Sequence, residues 1–129
     1  MLFCFHSIIR NGAQWLSIVT NDAWWNQTAG YQQHFSYAKL RAIEYRKWVA
    51  RSANTGTSGF INPLGTTVQS SSWYEKVCLQ QTIYANETKT VYYYLGDEGV
   101  IGILTLFILF LNWFKNQFEK RESVKKPIS

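Results

Sequence analysis

Residues 99–114 read GVIGILTLFILFLNWF, a run of 16 positions without a charged side chain. As a helix rising ~1.5 Å per residue it would be about 24 Å long, near the lower limit for crossing the ~30 Å hydrocarbon core of a bilayer. Tyr92, Tyr93 and Tyr94 precede the run, and tyrosine favours the membrane–water interface. The run therefore predicts a transmembrane helix. The alternative is a buried core helix, which usually contains more polar residues.

Basic residues follow this run on one side only. Residues 115–129 contain five Lys or Arg against two Asp or Glu, whereas residues 1–98 contain eight against six. More than half of the net charge of +5 therefore lies in the last 15 residues. By the positive-inside rule we expect residues 115–129 in the cytoplasm and residues 1–98 on the other side of the membrane. This distribution does not favour a nucleic-acid-binding face.

The region before the apolar run carries signals for strands and for one helix. Residues 14–20, QWLSIVT, are typical of a buried strand, and apolar residues at three- and four-residue spacing predict a helix from Tyr31 to about Val49. Further extended segments are expected at residues 48–54, 58–61, 66–70 and 77–83. A strand followed by a helix and a hairpin predicts a layered α+β domain.

Few side chains in the sequence offer nucleophilic or metal-binding chemistry. Cys4 and Cys78 form no CxxC motif, and the two histidines give no metal-ligand spacing beside them, so we expect neither a metal nor a cofactor. A catalytic cysteine needs a nearby base or cation. His6 lies two positions after Cys4, a spacing at which two side chains do not face each other in a helix. We expect buried structural thiols and assign no catalytic residue.

Trp24, Trp25 and His34 are the candidate binding residues. The two adjacent indoles follow the first predicted strand, where they either pack under another layer or face an apolar ligand or the bilayer interface. His34 lies near the predicted helix start, as a packing or capping residue or as a base. Glu44 follows Arg41 by three positions on the same helix, which predicts an ion pair.

Five short strings occur in a fixed order: TNDAWW at residues 20–25, QH at 33–34, AKLRAIE at 38–44, RSANTGTS at 51–58 and INPLG at 61–65. In this order and spacing, over about residues 8–70, the chain resembles the later part of the nitrilase-type domain of bacterial apolipoprotein N-acyltransferases. The predicted terminal membrane helix also matches that family.

The resemblance implies a nitrilase-superfamily αββα sandwich on the periplasmic side of the bacterial inner membrane, followed by one transmembrane helix. It implies transfer of an acyl chain from a phospholipid to the amino group of a lipoprotein's diacylglyceryl-cysteine, through a thioester on a cysteine. A Glu acts as base in this family, and a Lys helps to stabilise the oxyanion. On this basis we place Trp24, Trp25 and His34 nearest to the acyl or head-group pocket.

The family's catalytic residues have no counterparts in this sequence. Its nucleophile, in a Cys-Tyr-Glu context, falls upstream of Met1, and its Glu and Lys lie earlier still. Cys4 is too close to Asn11 to take that role, and residues 1–7 look unlike the helix expected there. We therefore expect a truncated, split or frameshifted product that is inactive alone and has a missing N-terminal half as partner.

The expected organisation is a C-terminal portion of a nitrilase-like (CN hydrolase) domain at residues 1–90, a juxtamembrane segment at 91–98, a transmembrane helix at 99–114 and a basic tail at 115–129. One alternative is a small membrane-anchored binding or structural protein without catalysis. Another is a fragment of a different nitrilase-type amidase, but the terminal span argues against that class, which is typically soluble.

Overall fold

The computed structural model describes the backbone of residues 2–125 and the side chains of residues 5–118. The chain divides into two compact units, Met1–Tyr94 and Leu95–Ser129. The layered α+β class predicted from the sequence is confirmed for the first unit. Its elements are helix α1 (Leu2–Arg10), strand β1 (Trp15–Thr20), a 3-10 turn (Ala23–Trp25), helix α2 (Ala29–Tyr45) and strands β2 (Trp48–Ala53), β3 (Gly59–Ile61) and β4 (Thr67–Ser70).

The four strands form one sheet in the order β1-β2-β3-β4. β1 and β2 are parallel, with Leu16 opposite Val49, and α2 connects them. β3 and β4 add to β2 as an antiparallel hairpin. Because parallel strands end at the same side of a sheet, the residues that follow β1 and β2 meet at one edge. The β3–β4 turn lies at the opposite edge.

The hydrophobic core fills the space between the helices and one face of the sheet. Alternate residues of β1 point into it, as the period of a strand requires. On the other face of the sheet, Trp15 is 44% exposed and Val19 is 82% exposed. The buried core residues are Ile9, Leu16, Ile18, Phe35, Ala38, Ala42, Tyr45, Val49 and Ile61.

Helix α2 begins and ends at specific capping residues. Thr28 caps its start, with the side-chain oxygen accepting a hydrogen bond from the Gly30 N–H at 3.3 Å. At the other end Arg46 adopts the left-handed conformation, and the Lys47 N–H donates to the Ala42 carbonyl at 3.2 Å. The prediction that the helix runs to about Val49 is therefore wrong. Val49 fits the helical spacing, but it is a core residue of β2.

The description of residues 1–7 as unlike a helix is wrong, because α1 covers most of them. Phe5 and Ile9 are four positions apart and therefore lie on the same side of α1. Both pack on the core between the helix and the sheet. Burial of this apolar stripe stabilises a helix that is too short to persist alone in water.

The strand predicted at residues 77–83 is also absent. Residues 76–90 contain neither helix nor strand. Val77 and Tyr84 are largely exposed, so this apolar run has no second sheet layer to pack against. The apolar pattern favoured a strand, but a strand also needs a neighbouring edge to pair with.

Helix α3 (Val91–Lys125) contains the apolar run and extends beyond it in both directions. Two helical segments meet at Gly96, where φ is +58°. Residues Val91–Phe118 form a helix of 28 residues that is long and apolar enough to cross a membrane. The part of this stretch beyond Gly96, residues 97–118, would measure about 33 Å at ~1.5 Å per residue, which is enough to cross the ~30 Å hydrocarbon core. The 28-residue helix is the one such helix among the described residues.

Candidate functional site

Polar groups gather where β1 and β2 end, in a region that we call the carboxyl edge (residues 20–22 and 53–57). Asp22 follows β1, and its N–H donates to Asn54 Oδ1 at 3.2 Å. Asn54 follows β2, and its N–H donates to the Thr20 carbonyl at 3.4 Å. Gly56 must lack a side chain, because a methyl group there would overlap the Asp22 carboxylate. These contacts fix the two strand ends relative to each other.

The centre of the carboxyl edge is a buried ion pair. Asp22 is fully buried, and its Oδ2 accepts a hydrogen bond from Arg51 Nη2 at 2.8 Å. Arg51 reaches this position because it lies on the same face of β2 as the core residue Val49, two positions earlier. Its guanidinium also donates to the Thr57 carbonyl and lies over the Phe35 ring, 5.5 Å from the centroid. The buried charge of Arg51 is therefore compensated on several sides.

His34 completes this cluster from the second turn of α2. Its Nδ1 lies 2.8 Å from Asp22 Oδ1 and 3.3 Å from Arg51 Nη2. The guanidinium is always a donor, and the carboxylate contact is the shorter one, so we assign the Nδ1 proton to the bond with Asp22. In the neutral imidazole Nε2 is then the hydrogen-bond acceptor. Asp22 thus sets the tautomer of His34, while Arg51 neutralises Asp22.

A cavity of about 390 Å³ lies beside this cluster. Arg41, one of its cationic lining residues, is paired with Glu44 at 2.5 Å, which confirms the predicted ion pair. Burial opposes the charge of Arg41, but the Tyr92 hydroxyl and Glu44 outweigh it and raise the pKa of the guanidinium. With both arginines partnered, the cavity has an apolar side that suits an apolar ligand. Its lining residues are Phe5, Ile18, His34, Tyr37, Ala38, Arg41 and Arg51.

The two tryptophans form the 3-10 turn directly after Asp22. Trp24 is 85% exposed and Trp25 is 49% exposed. The Trp25 ring lies against Gly30, where an added Cβ would be only 2.6 Å from a ring carbon. Among the described residues no second layer covers Trp24, and what its exposed ring faces, an apolar ligand or the bilayer interface, stays a prediction. His34 meets this turn through its hydrogen bond to Asp22.

The opposite side of the sheet holds a second buried cation. We call this region the amino edge (residues 14, 46–47 and 86–90). The Lys47 side chain is buried and donates to the carbonyls of Asn86 and, at 3.3 Å, Thr88. Asn86 donates from its side chain to the Arg46 carbonyl at 2.7 Å and from its backbone to the Gln14 carbonyl at 3.3 Å. Burial lowers the pKa of Lys47, with the carboxylate of Glu87 opposing the effect.

The cysteines do not form a site among the described residues. Cys78 is exposed, which corrects the expectation of a buried thiol, because the strand predicted around it does not form. The Cys4 side chain lies outside the described residues, so its predicted burial has no structural counterpart here. Within the described part of the chain, no group of three His, Cys, Asp or Glu side chains is arranged to hold a metal ion.

Sequence reasoning missed Asp22, Arg51, Asn54 and Gly56 as parts of the site. Two signals were available for them. Asp22 lies two positions after the strand predicted at residues 14–20, and Asn54 is the last residue of the extended segment predicted at 48–54. The ends of two such strands meet when the strands are parallel. Arg51 lies in an otherwise apolar segment, where a buried guanidinium requires an anionic partner. Without the register between β1 and β2, however, the partner could not be identified.

Comparison with known proteins agrees with the family resemblance over most of the first unit. Residues 5–93 match the carbon-nitrogen hydrolase family. Similar proteins include apolipoprotein N-acyltransferases of Pasteurella multocida (32% identity over 101 residues, 78% of this chain and 19% of the relative) and Bradyrhizobium diazoefficiens (36% over 95 residues, 74% and 18%). Apolipoprotein N-acyltransferase 1 of Treponema denticola is 36% identical over 121 residues, covering 90% of this chain and 22% of the relative.

The chain spans about a fifth of the length of these curated relatives. The family match covers both strand ends of the carboxyl edge and the residues that hold the amino edge. The chain belongs to the carbon-nitrogen hydrolase family.

Proposed function

We propose that this chain is the C-terminal part of an apolipoprotein N-acyltransferase and is inactive without the part that carries the nucleophile. The observation that carries the proposal is the order of the two units: the carbon-nitrogen hydrolase match at residues 5–93 runs directly into an apolar helix at Val91–Phe118. The named relatives are acyltransferases. The proposed reaction transfers an acyl chain from a phospholipid to the N-terminal amino group of a diacylglyceryl-cysteine lipoprotein through a cysteine thioester.

The uncovered face of the sheet supports the proposal that a second sheet packs on it. Trp15 and Val19 alternate with the buried Leu16 and Ile18, yet they remain exposed. In a two-sheet sandwich such a face packs on a second sheet about 10 Å away. The proposed N-terminal half supplies that sheet and, with it, the catalytic Cys, Glu and Lys.

The chemistry of acyl transfer is a second reason why this chain would need the N-terminal half. A nucleophilic thiol needs a base within hydrogen-bond reach and donors for the oxyanion. Among residues 5–118, no histidine or carboxylate hydrogen-bonds to the thiol of Cys78. The carboxyl edge offers His34 and the two exposed tryptophans instead, groups suited to binding. We assign Trp24, Trp25 and His34 to the wall of the acyl or head-group pocket.

A chimera tests this assignment. The segment of the Pasteurella multocida relative that aligns with this chain is replaced by residues 1–129, and acylation of a diacylglyceryl-cysteine peptide is followed by mass spectrometry. We expect product from the chimera and from a Cys78→Ser control, and none from the isolated chain. Acylation of Cys4 or Cys78 in the isolated chain, reversed by neutral hydroxylamine, would contradict the proposed inactivity. An inserted but inactive chimera would favour the alternative of a membrane-anchored binding protein.

The proposed location is the bacterial inner membrane, with the first unit in the periplasm and the tail in the cytoplasm. The basic residues after the apolar run support this orientation. In spheroplasts of a strain producing a Ser129→Cys variant that lacks Cys4 and Cys78, an impermeant maleimide should react only after permeabilisation. A Thr66→Cys variant in the same background is the matched control and should react at once, because Thr66 is exposed in the β3–β4 turn. Immediate labelling at position 129 would reverse the proposed orientation.

A further inference from the structure

Three exposed and two half-buried aromatic residues lie between the turn after β1 and the segment after β4, and we call this group the aromatic rim (Trp24, Trp25, Tyr31, Trp73 and Tyr74). Trp25 lies against Gly30, the neighbour of Tyr31. The Tyr31 and Trp73 rings are 4.6 Å apart, and those of Trp73 and Tyr74 are 5.6 Å apart. Ring contacts therefore connect the first turn of α2 to the segment after β4, and the turn after β1 adjoins them where Trp25 lies against Gly30.

The rim follows the carboxyl edge. The Trp25 N–H donates to the Asp22 carbonyl at 3.1 Å, and the Tyr74 N–H donates to the Thr55 carbonyl at 3.0 Å. Both ends of the rim are thus held by backbone groups beside the strand ends. Tyr74 is 71% exposed, a value close to that of Trp24. Such a concentration of exposed aromatic surface marks an interaction site rather than a core.

We propose that the aromatic rim docks on the interfacial layer of a phospholipid bilayer. Trp and Tyr combine an apolar ring with one polar group, which suits the boundary between acyl chains and head groups. Among the described residues, the indole N–H groups of Trp24, Trp25 and Trp73 donate to no protein acceptor. These donors remain free for phosphate and ester oxygens.

The bilayer is the partner that the chain itself indicates, because helix α3 is long and apolar enough to cross one. The inference rests on the proposed function only in requiring a membrane beside the first unit. It adds a role for Tyr31, Trp73 and Tyr74, which lie outside the proposed acyl or head-group pocket. Docking of the rim would hold the carboxyl edge, and with it Asp22 and His34, at the level where phospholipid head groups are found.

Depth-dependent quenching tests the proposal in the full chain, reconstituted in phosphatidylethanolamine and phosphatidylglycerol vesicles that contain brominated phospholipid. A fluorophore is attached at Ser72→Cys, beside the rim, in a Cys4→Ser, Cys78→Ser background. The matched control carries it at Thr66→Cys, an exposed position in the β3–β4 turn at the opposite edge of the sheet. We expect bromolipid to reduce the fluorescence of the label at position 72 and to leave that at position 66 unchanged.

Rim variants show whether the aromatic rings cause the contact. Trp24→Ser and Tyr74→Ser change highly exposed side chains, and each should weaken the quenching at position 72 without altering the circular dichroism spectrum. Equal quenching at positions 72 and 66, or quenching that persists in both variants, would overturn the proposal. So would protection of the rim by a protein partner with no quenching by bromolipid.

The quenching result and the activity of the acyltransferase chimera test two different proposals. Resistance of α3 to carbonate extraction establishes insertion independently of the rim. Inserted chains without quenching would overturn the rim proposal even where the chimera transfers acyl groups. Quenching at position 72 in a chain whose chimera is inactive would support the rim and count against the proposed function.

Discussion

At the carboxyl edge Arg51 is buried against the carboxylate of Asp22, whereas at the amino edge Lys47 is buried against backbone carbonyl groups. The first arrangement opposes one full charge with another and adds His34 on the same carboxylate. The second relies on peptide dipoles, and burial lowers the pKa of Lys47. A paired charge with a neighbouring histidine and cavity suits a binding site. A buried cation that donates to the carbonyls of an irregular segment suits a structural anchor.

The amino edge fixes the start of helix α3. Thr90 Oγ1 donates to the Glu44 carbonyl at 2.5 Å and accepts from the Tyr93 N–H at 3.1 Å. The same residue thus contacts the end of α2 and the first turn of α3. Together with Lys47 and Asn86, it ties the segment before α3 to the sheet. The difference between the edges predicts that substitutions at the carboxyl edge cost more stability than those at the amino edge.

The largest effect is expected from Asp22→Ala. Removing the carboxylate leaves Arg51 buried without its counter-charge, which typically costs ~3–5 kcal/mol. Denaturant unfolding of the full chain in detergent, followed by circular dichroism, measures the loss. Glu75→Ala removes an exposed carboxylate and is the control, with an expected change of less than ~1 kcal/mol. If Arg51→Met added its full cost to Asp22→Ala in the double variant, the two residues would not act as a pair.

A smaller loss is expected from Gly56→Ala, because the new methyl group overlaps the Asp22 carboxylate. Overpacking of this kind costs ~1–3 kcal/mol. Thr57→Ala is the matched control, since its backbone carbonyl still accepts from Arg51. The same unfolding measurement applies to both variants. A Gly56→Ala chain as stable as the control would show that the carboxyl edge can relax around Asp22.

These edges also show how far sequence reasoning can go. The apolar, β-branched run QWLSIVT predicted β1, and the spacing of Phe35, Ala38 and Ala42 predicted most of α2, because burial in the core imposes each pattern. Trp24 and Trp25 were identified as adjacent indoles after a strand, and His34 as a histidine near the start of the predicted helix. The resemblance then placed all three near the proposed pocket. Their assignment to substrate remains a prediction.

Other features depend on tertiary contacts that no local pattern encodes. Helix α2 ends at Tyr45 because Arg46 adopts a left-handed conformation, although Val49 continues the apolar spacing. Val77 and Cys78 were expected in a strand, but they pair with neither edge strand of the sheet, β1 or β4. Asp22 and Arg51 are 29 positions apart, and only the parallel pairing of β1 and β2 brings them together.

The amino edge should respond to Lys47→Met with a loss of ~1–2 kcal/mol, because two carbonyls lose their donor while a buried charge is removed. The pH dependence is more specific. Burial holds the folded-state pKa of Lys47 below its ordinary value of 10.5, so the unfolded chain binds this proton more tightly. Stability from this group should therefore rise as the pH increases from the folded-state pKa towards 10.5.

The pH effect is measured as a difference between variants in denaturant unfolding at a series of alkaline pH values. Lys76→Met removes an exposed lysine and is the matched control. The original chain and this control should gain stability relative to Lys47→Met as the pH rises. Parallel pH profiles for all three chains would mean that Lys47 is not held in a desolvated site.

The smallest stability effect is expected for Trp24→Ala, in the exposed turn that follows the carboxyl edge. A truncated core tryptophan costs ~3–5 kcal/mol, but Trp24 is 85% exposed, so the change should stay within ~0.5 kcal/mol. If Trp24 contacts the acyl chain or head group, the same variant in the Pasteurella multocida chimera should transfer acyl groups more slowly, with membrane insertion unchanged. Leu64→Ala is the control, since it also removes an exposed apolar side chain from the first unit but lies in the β3–β4 turn at the opposite edge of the sheet. A fall in activity matched by a fall in thermal stability would assign Trp24 to packing and remove it from the proposed pocket.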